Sequence, residues 1–413
     1  MTGSGSRGFD AVIVGAGVVG TVMAGLLSAR RLSAPGRVAL IADALTSAAA
    51  RPDWDLRVFA LSRASERLLK ACGVWNTLPA QRVFAYERMC VWDARGEPGG
   101  NGSLSFDCAE IGEPNLGYIV DGHDLQRQCL QAARSAGTVL IEGRVDTINA
   151  DDRGVSIRLS DGREVRGELL IGADGINSKT RELLGVGTAG HSYLQDALVA
   201  HVRTSKPHRS TAWQRFVDSG PLAFLPLPDG RSSIVWSASL PEAARLRALD
   251  DSAFGSALTA ASGSVLGDCE LSSTRSSFPL KLQYALEYVR PRAVLLGDAA
   301  HVVHPLAGQG LNLGLLDCAV LAEVLGEAGS AGYFGEHRLL RRYERRRRSE
   351  NLLAATALDG LERLFSSAAP VSSALRGAAL HAVDQLPYVK RGFARSALGL
   401  SGDVPAFLKA GRA

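Results

Sequence analysis

A glycine-rich turn close to the N-terminus constrains the fold of this 413-residue chain more than any other feature. The apolar run Asp10–Val14 is followed by GAGVVG, which places Gly15, Gly17 and Gly20 at GxGxxG spacing. The first two glycines permit a tight turn and close approach to a pyrophosphate, and the third lets the next helix pack on the strand. With a second strand over Arg37–Ile41, the pattern predicts a βαβ unit that binds a dinucleotide.

The same region also invites a different interpretation. Ala11–Ala29 carries no charge over 19 residues and follows Arg7, as in a signal peptide or a membrane span. A strand, a glycine turn and a buried helix explain both the apolar character and the glycines. We therefore expect Ala11–Ala29 to lie in the core, in a helix that ends near Arg30.

A second strand end lies past the middle of the chain. The apolar run Ala293–Leu296 breaks at Gly297-Asp298, and a helix restarts at about Leu311. Gly308 and Gly310 lack a Cβ atom, so the backbone there can approach a flat ligand. The free N–H groups and the dipole of the helix start favour negative charge on that ligand, and Asp298 can accept hydrogen bonds from ligand hydroxyls. A crossover whose glycines serve only packing is the structural alternative.

The segment Leu169–Arg181 repeats this arrangement. An apolar strand ends in small residues and Asp174-Gly175, and a helix begins near Ser178. Because ligands bind at the carboxyl ends of strands in open parallel sheets, we expect the three strand ends to converge on one dinucleotide.

The middle of the chain has a different character. Residues 190–280 hold short alternating or apolar runs separated by turns, which predict an antiparallel sheet interrupted by a helix over Pro241–Ala261. From Leu339 onward the chain is predicted to be helical. These patterns predict an α/β chain with a Rossmann-like dinucleotide-binding domain, an inserted antiparallel β-sheet substrate domain and a C-terminal helical region. The predicted ranges are 1–79, 107–189 and 281–340 for the first domain, 80–106 and 190–280 for the second, and 341–413 for the third.

Charge and cysteine content exclude several classes of protein. The net charge of +4 is small for this length, and basic residues are mostly interspersed with acidic ones, so no nucleic-acid partner is expected. The run RRYERRRRSE at 341–350 is interpreted as a solvated helix face, with docking to an acidic partner or anionic lipid as an alternative. The six cysteines form no CxxC pair and indicate thiols of a reducing compartment, and no metal site is expected.

Together the three motifs resemble the class A flavoprotein monooxygenases, which have the para-hydroxybenzoate hydroxylase-like fold. The motifs are the GxGxxG turn, GADGINSKTR at 172–181 and GDAAHVVHPLAGQGLNLGLLD at 297–317. Further segments are similar to the ubiquinone-biosynthesis hydroxylase family within that class: ALSRASERLLKACGVW at 60–75, PLAFLPLPDGRSSIVW at 221–236, FPLKLQYA at 278–285 and YERRRRSEN at 343–351. The chain departs from that family at Ala42, where an acid is usual, and at 121–123, where it has Asp-Gly-His.

The resemblance implies that FAD binds noncovalently across the glycine turn. NAD(P)H would reduce it, and reduced FAD would react with O2 to a C4a-hydroperoxide that attacks a phenol ring. Because Ala42 stands where the family has an acid, either Asp43 or a water molecule would contact the ribose. The resemblance does not identify which group near Gln126 contacts the flavin. The implied cofactor residues are Gly15, Ala16, Gly17, Gly20, Asp43, Arg57, Gln126, Asp174, Gly175, Gly297, Asp298, Gly308, Gln309, Gly310, Leu311 and Asn312.

Catalytic and substrate residues are less constrained by the sequence. Pro305 would sit above the flavin ring. His304 could act as a general base, although a loop histidine that only bonds the backbone is the favoured interpretation. The predicted substrate wall consists of Phe216, Leu222, Phe224 and Trp236, which could equally be core positions.

The hypothesis is an FAD-dependent hydroxylase of a polyprenylated phenol in ubiquinone biosynthesis. The protein would be cytoplasmic, with contact to the inner membrane or a biosynthetic complex as an additional possibility. Three alternatives are left open: a soluble phenolic or secondary metabolite as the substrate, a non-catalytic assembly subunit, and an FAD-linked reductase of prenyl double bonds.

Overall fold

The computed structural model describes residues 8–29, 32–45, 49, 51–100, 102–151, 153–327, 334–366 and 386–409. The strands are β1 Phe9–Val14, β2 Val38–Ala42, β3 Val58–Leu61, β4 Val83–Tyr86, β5 Arg88–Asp93, β6 Ser103–Asp107, β7 Gly117–Asp121, β8 Val139–Glu142, β9 Val145–Asp151, β10 Gly154–Leu159, β11 Glu164–Gly172, β12 Thr188–Thr204, β13 Thr211–Val217, β14 Gly220–Pro226, β15 Ser232–Ser239, β16 Cys269–Leu271, β17 Ser276–Ala285, β18 Val289–Arg290, β19 Ala293–Leu295 and β20 His301–Val302. The helices are α1 Val18–Ala29, α2 Arg63–Ala71, α3 Cys108–Ile111, α4 Gly122–Ser135, α5 Lys179–Leu183, α6 Leu240–Ala248, α7 Asp251–Ser262, α8 Gln309–Glu327, α9 His337–Ser366 and α10 Pro387–Ala397. Short 3-10 turns occupy Trp75–Thr77, Ala80–Arg82, Gly297–Ala299, Leu306–Gly308 and Ala406–Leu408.

An eight-stranded sheet forms the first layer. Its path runs β18-β19-β11-β1-β2-β8, and β9 and β10 extend it as an antiparallel meander beside β11. Strand β1 pairs in parallel with both β2 and β11, and β11 pairs in parallel with β19. Along β1, Ala11 and Ile13 join the core that includes α1, α4 and α8, whereas Val12 and Val14 pack under the meander. The uncharged stretch Ala11–Ala29 is therefore buried strand and helix, as expected.

A nine-stranded, mostly antiparallel sheet forms the second layer. It runs β20-β17-β12-β15-β14-β13-β5-β6, with β16 beside β12. Helices α6 and α7 cover one of its faces through a core that contains Leu246, Phe254 and Leu258. A small third sheet has the order β3-β7-β4, and its strands alternate along the chain with strands of the two large sheets.

Several predicted boundaries differ from the observed elements. The single helix expected over Pro241–Ala261 is two helices, because Leu249 is extended and the Asp250 side chain caps α7. Strands β12 and β17 cross the predicted domain boundaries at 189/190 and 280/281 while pairing with each other. Strand β4 pairs with β7 rather than joining the nine-stranded sheet. The division into domains stays a prediction.

The C-terminal charge run is only partly solvated. It lies in α9, where Tyr343, Glu344 and Arg347 are buried while Arg341, Arg342, Arg345 and Arg348 are exposed. The interpretation of the whole run as a solvated face is therefore wrong for Arg347. Helical structure predicted across 367–385 lies outside the described residues.

One described helix, α8, is long and apolar enough to cross a membrane, and 67% of that window is buried inside the protein. A core helix passes the same test of length and composition.

Candidate active site

The three predicted strand ends lie side by side. Strands β1, β11 and β19 are neighbours and parallel, so their carboxyl ends share one edge of the sheet. The turn after β1 fits tightly against the turn after β11. Gly15 has φ +110°, and a Cβ atom there would lie 2.3 Å from the Ala173 carbonyl oxygen. A Cβ atom at Gly20 would lie 2.0 Å from the Gly15 carbonyl oxygen, so that glycine is needed where α1 packs on the turn.

Other glycines at this edge face open space. A Cβ atom at Gly17, Gly175 or Gly310 would have no described atom within 4 Å. These positions leave the backbone of two turns and of the first turn of α8 accessible, as a phosphate or a flat ring requires. Gly308 differs, because a Cβ atom there would lie 2.8 Å from the Ala60 side chain. Gly308 therefore serves close packing against β3.

Asp298 carries a partly buried carboxylate that is suited to accept hydrogen bonds from a ligand. Among the described residues, no hydrogen bond is donated to its carboxylate, although the residue is partly buried in the turn after β19. Burial raises the pKa of Asp298, while the nearby His301 and Arg57 lower it. A desolvated carboxylate without protein donors is costly unless another group supplies them.

Asp317 on α8 anchors the same turn. Its Oδ2 accepts hydrogen bonds from the Gly297 amide at 3.0 Å and from His301 Nε2 at 2.6 Å. Its Oδ1 accepts from Arg347 Nε at 2.7 Å and from Asn351 Nδ2 at 3.0 Å. Burial alone would raise the pKa of Asp317, but His301 and Arg347 hold it well below its usual range. Gly297 is thus fixed through its amide, and it is next to Asp298, whose carboxylate accepts no hydrogen bond within the described ranges.

Asp174 bonds the start of the helix that follows it, and its predicted contact with the cofactor stays a prediction. Its carboxylate accepts hydrogen bonds from the Ser178 hydroxyl and, at 2.8 Å, from the Thr180 amide. Both oxygens therefore stabilise the start of α5. Arg181 then donates to the Ala299 carbonyl at 2.9 Å, which ties this turn to the turn after β19.

Two predicted residues approach the site from neighbouring elements. Gln126 on α4 donates to the Ala16 carbonyl in the glycine turn at 3.2 Å. Arg57 is exposed, lies over the Phe59 ring at 4.9 Å and is close enough to Asp298 to lower its pKa. Asp43 is exposed directly after β2, and its contact with a ribose stays a prediction.

The start of α8 uses its side chains inside the protein. Asn312 is buried, and its Oδ1 accepts from the Ser62 amide at 2.9 Å and from the Ser65 hydroxyl at 2.6 Å. Its Nδ2 donates to the Ala60 and Gly308 carbonyls. The Gln309 side chain donates to a carbonyl of α10, and Leu311 is half-buried. The Asn312 side chain therefore joins the start of α8 to β3 and α2, and its predicted contact with the cofactor stays a prediction.

His304 does not bond the backbone, contrary to the favoured interpretation. It is 1% exposed, and neither ring nitrogen has a hydrogen-bond partner in the part of the chain that the structure describes. Its ring meets Tyr193 edge-on at 4.9 Å, and burial lowers its pKa to about 4. His304 is therefore neutral at pH 7. The neighbouring Pro305 is half-buried and accepts a hydrogen bond from the Gly308 amide.

The predicted substrate wall divides between the two faces of the nine-stranded sheet. Leu222, Phe224 and Trp236 pack in the core against α6 and α7. The prediction that these three residues contact the substrate is therefore replaced by a core role. Only Phe216 points the other way, where it packs with Val91 and with Leu306 of the loop that follows Pro305. Because side chains alternate between the two faces along a strand, a shift of one residue moves a side chain from the core face to the face of Phe216.

Several residues of the site were missed. Pairing places Val91, Gln214 and Ala223 on the same face of the sheet as Phe216. Gln214 is buried on that face, and its burial follows from packing that the sequence of β13 does not indicate. Arg347 and Asn351 were hidden in a charge run, and only their four-residue spacing on one helix indicated a shared partner.

These features are those of a dinucleotide-binding protein whose binding edge adjoins an antiparallel sheet. Comparisons with known proteins identify the family. Residues 9–356 match the family described as FAD binding domain. The chain is 38% identical over 404 residues to the ubiquinone hydroxylase UbiL of Rhodospirillum rubrum, covering 97% of this chain and 91% of the relative. It is 34% identical over 349 residues to the 3-demethoxyubiquinol 3-hydroxylase of Escherichia coli, covering 84% and 88%.

A solved structure has the same fold. The crystal structure of p-nitrophenol 4-monooxygenase PnpA from Pseudomonas putida superposes with a TM-score of 0.75 at 18% identity, covering 96% of this chain and 99% of that one. The chain belongs to the FAD binding domain family and, within it, to the ubiquinone hydroxylase group of class A FAD-dependent monooxygenases. The predicted fold class and cofactor are confirmed.

The described residues fit FAD. Glycines with open space around them line the turns after β1 and β11 and the first turn of α8, and the Asp298 carboxylate after β19 accepts no hydrogen bond from the described residues. Residue-by-residue contacts with the cofactor stay predictions.

Proposed function

We propose that this monooxygenase hydroxylates the aromatic ring of a polyprenylated phenol in ubiquinone biosynthesis, with O2 and NAD(P)H as co-substrates. The observation that carries the proposal is the apolar cluster of Phe216, Val91 and Leu306, the last of which lies immediately after Pro305. An apolar wall against the flavin loop suits a lipophilic ring better than a charged metabolite. The names of the relatives support the same substrate class.

The cofactor residues have distinct tasks in this proposal. Asp298 accepts hydrogen bonds from hydroxyl groups of FAD, and the guanidinium of Arg57 neutralises phosphate charge. The amides of the first turn of α8 stabilise negative charge at the flavin edge. Bound FAD supplies the redox chemistry and the activation of O2. The protein holds the ring, orients the phenol and excludes water.

His304 orients the substrate in this proposal. A neutral imidazole donates through one nitrogen and accepts through the other, so it can bond a phenol oxygen in either protonation state. Its pKa of about 4 makes it a weak proton acceptor at neutral pH, which favours hydrogen bonding over general-base catalysis.

We also propose that the protein is cytoplasmic and meets its substrate at the periphery of the inner membrane. Helix α9 exposes Leu353, Leu361 and Leu364, and α10 exposes Tyr388 and Phe393. Binding to vesicles that contain the polyprenyl phenol, reduced by Leu353→Ser and Leu361→Ser together, supports this arrangement. Equal binding by the parent and the variant would show that these leucines do not contact the membrane.

The experiment that tests the proposed function is mass spectrometry of quinone intermediates in cells that lack the protein. A polyprenylated phenol lacking one hydroxyl should accumulate and ubiquinone should fall. Unchanged ubiquinone without a precursor would overturn the substrate and leave a soluble phenol as the alternative. A purified protein that is colourless and binds no FAD would favour an assembly subunit, and turnover without O2 would favour a reductase.

A further inference from the structure

The segment Arg51–Arg57, here called the strap, crosses between the nine-stranded sheet and the FAD-binding part of the molecule. It precedes β3 and ends at Arg57, the residue whose charge reaches Asp298. The strap contains no helix or strand of its own. Its position therefore depends on side-chain and backbone contacts with its surroundings.

Arg231 holds the strap from the nine-stranded sheet. The guanidinium, in a residue that is 8% exposed, donates to Asp53 Oδ1 at 2.6 Å and to Asp53 Oδ2 at 3.4 Å. It also bonds Asp229 in the turn after β14. The hydrogen bond from Arg231 lowers the pKa of Asp53, so the pair is ionised at neutral pH. A two-pronged contact of this kind fixes direction as well as distance.

His201 provides a second hold from the same sheet. It lies on β12, is fully buried, and its Nε2 is 3.1 Å from the Asp55 carbonyl oxygen. A carbonyl only accepts, so Nε2 carries the hydrogen. The other nitrogen, Nδ1, has no partner within the described ranges. Burial accordingly lowers the pKa of His201 and keeps the ring neutral.

The FAD-binding side holds the strap by its backbone. The Asp55 amide donates to Asp121 Oδ2 at 2.7 Å, and the Gly122 amide donates to the Arg57 carbonyl at 2.9 Å. A Cβ atom at Gly122 would lie 2.3 Å from that carbonyl oxygen, so α4 begins directly against Arg57. Trp54 is buried at this junction with residues of both parts of the molecule.

We propose that Arg231 and His201 are positioning residues, which hold the strap so that Arg57 stays beside Asp298 and the cofactor. The nine-stranded sheet, which contacts the substrate in the proposed function, thereby fixes the position of the Arg57 guanidinium, which contacts FAD. This inference rests on the proposed cofactor role of Arg57. The residues lie outside the three glycine motifs, and neither contacts Asp298.

The test measures FAD affinity and the release of the strap separately. Arg231→Met should weaken FAD binding about tenfold, as the loss of one well-aligned charged contact would. It should also speed trypsin cleavage after Arg57, mapped by mass spectrometry of the fragments. The matched control is Arg245→Met, which removes an arginine that pairs with Glu242 on α6 of the same sheet domain. That control should change neither quantity.

A double variant shows whether the strap acts through Arg57. Arg57→Met with Arg231→Met should bind FAD no more weakly than Arg57→Met alone, because both changes remove one contact. Additive losses would overturn the proposal while leaving the cofactor role of Arg57 intact. If Arg57→Met alone leaves FAD affinity unchanged, that role fails too, and the strap inference with it.

His201 offers an independent variant should Arg231→Met fold poorly. His201→Gln keeps a side-chain N–H donor for the Asp55 carbonyl and should retain FAD affinity, whereas His201→Leu should lose it and expose Arg57 to trypsin. Equal FAD affinity and equal cleavage in the two His201 variants would contradict the proposal.

Discussion

Two neighbouring turns at the edge of the eight-stranded sheet each place an aspartate beside a glycine, and they use it in opposite ways. In the turn after β11, both oxygens of Asp174 accept hydrogen bonds from the start of α5. In the turn after β19, no described group donates to Asp298, and the adjacent Gly297 is held by Asp317 instead. The turn after β11 is held by hydrogen bonds among its own residues, and the turn after β19 is held by a hydrogen bond to Asp317 of α8.

The difference follows from the residues that come after each aspartate. The N-cap residue Ser178 offers its hydroxyl to Asp174, and Thr180 in the first turn of α5 offers its amide, so Asp174 satisfies one of the free N–H groups of the helix start. Ala299 and Ala300 follow Asp298 and offer no side-chain donor. A turn anchored from outside keeps its own carboxylate for a ligand, so the anchor and the ligand contact can be separated by mutation.

The largest effect is expected at the anchor. Asp317→Ala leaves Arg347 and His301 buried without their acceptor, so the free energy of unfolding should fall by about 3–5 kcal/mol. Chemical denaturation of the FAD-free protein measures this loss. Asp317→Asn keeps the shape and one acceptor oxygen, and it should lose less. A destabilisation below about 1 kcal/mol, the size of an exposed ion pair, would show that Asp317 does not anchor the turn.

The next effect concerns the free carboxylate. Asp298→Ala should weaken FAD binding by about 1.5–3 kcal/mol, the range for hydrogen bonds to a charged group, while leaving the FAD-free protein as stable as before. Stability is spared because burial raises the pKa of Asp298 and no protein donor is lost. Titration of flavin fluorescence and thermal unfolding without FAD provide the two measurements. Undiminished FAD affinity would contradict the proposed ligand role.

The sequence was most informative where a short motif fixes the backbone. Gly15 and Gly20 predicted the βαβ unit correctly because their roles depend on contacts within a few residues and an adjacent strand. The sequence could not show which face of the nine-stranded sheet contacts the substrate, because β14 has apolar residues on both faces. The packing of α6 and α7 decides which face belongs to the core. Arg347 was misjudged because its partner Asp317 is 30 residues away on another helix.

Asp174→Ala tests the other turn. Losing the two bonds to α5 should reduce the free energy of unfolding by about 1–2 kcal/mol, as loss of a helix cap does. FAD affinity should fall much less than in Asp298→Ala. The matched control is Asp250→Ala, which removes the cap of α7 far from the glycine turns. If Asp174→Ala weakens FAD binding as much as Asp298→Ala does, the contrast between the turns fails and Asp174 contacts the cofactor.

The smallest effect expected is a pH dependence from His304, in the loop that follows the second turn. Its pKa of about 4 in the folded protein lies below the value of 6.5 for an unfolded chain. As pH falls below 6.5 the unfolded state takes up a proton first, so stability decreases and the decrease levels off below pH 4. Between pH 7.5 and pH 5.5 this contributes a loss of about 1 kcal/mol. His304→Leu should remove that part of the slope in the FAD-free protein. An unchanged slope would mean that the His304 ring is protonated or bonded in the fold, and hydrogen bonding to a substrate oxygen would lose its support.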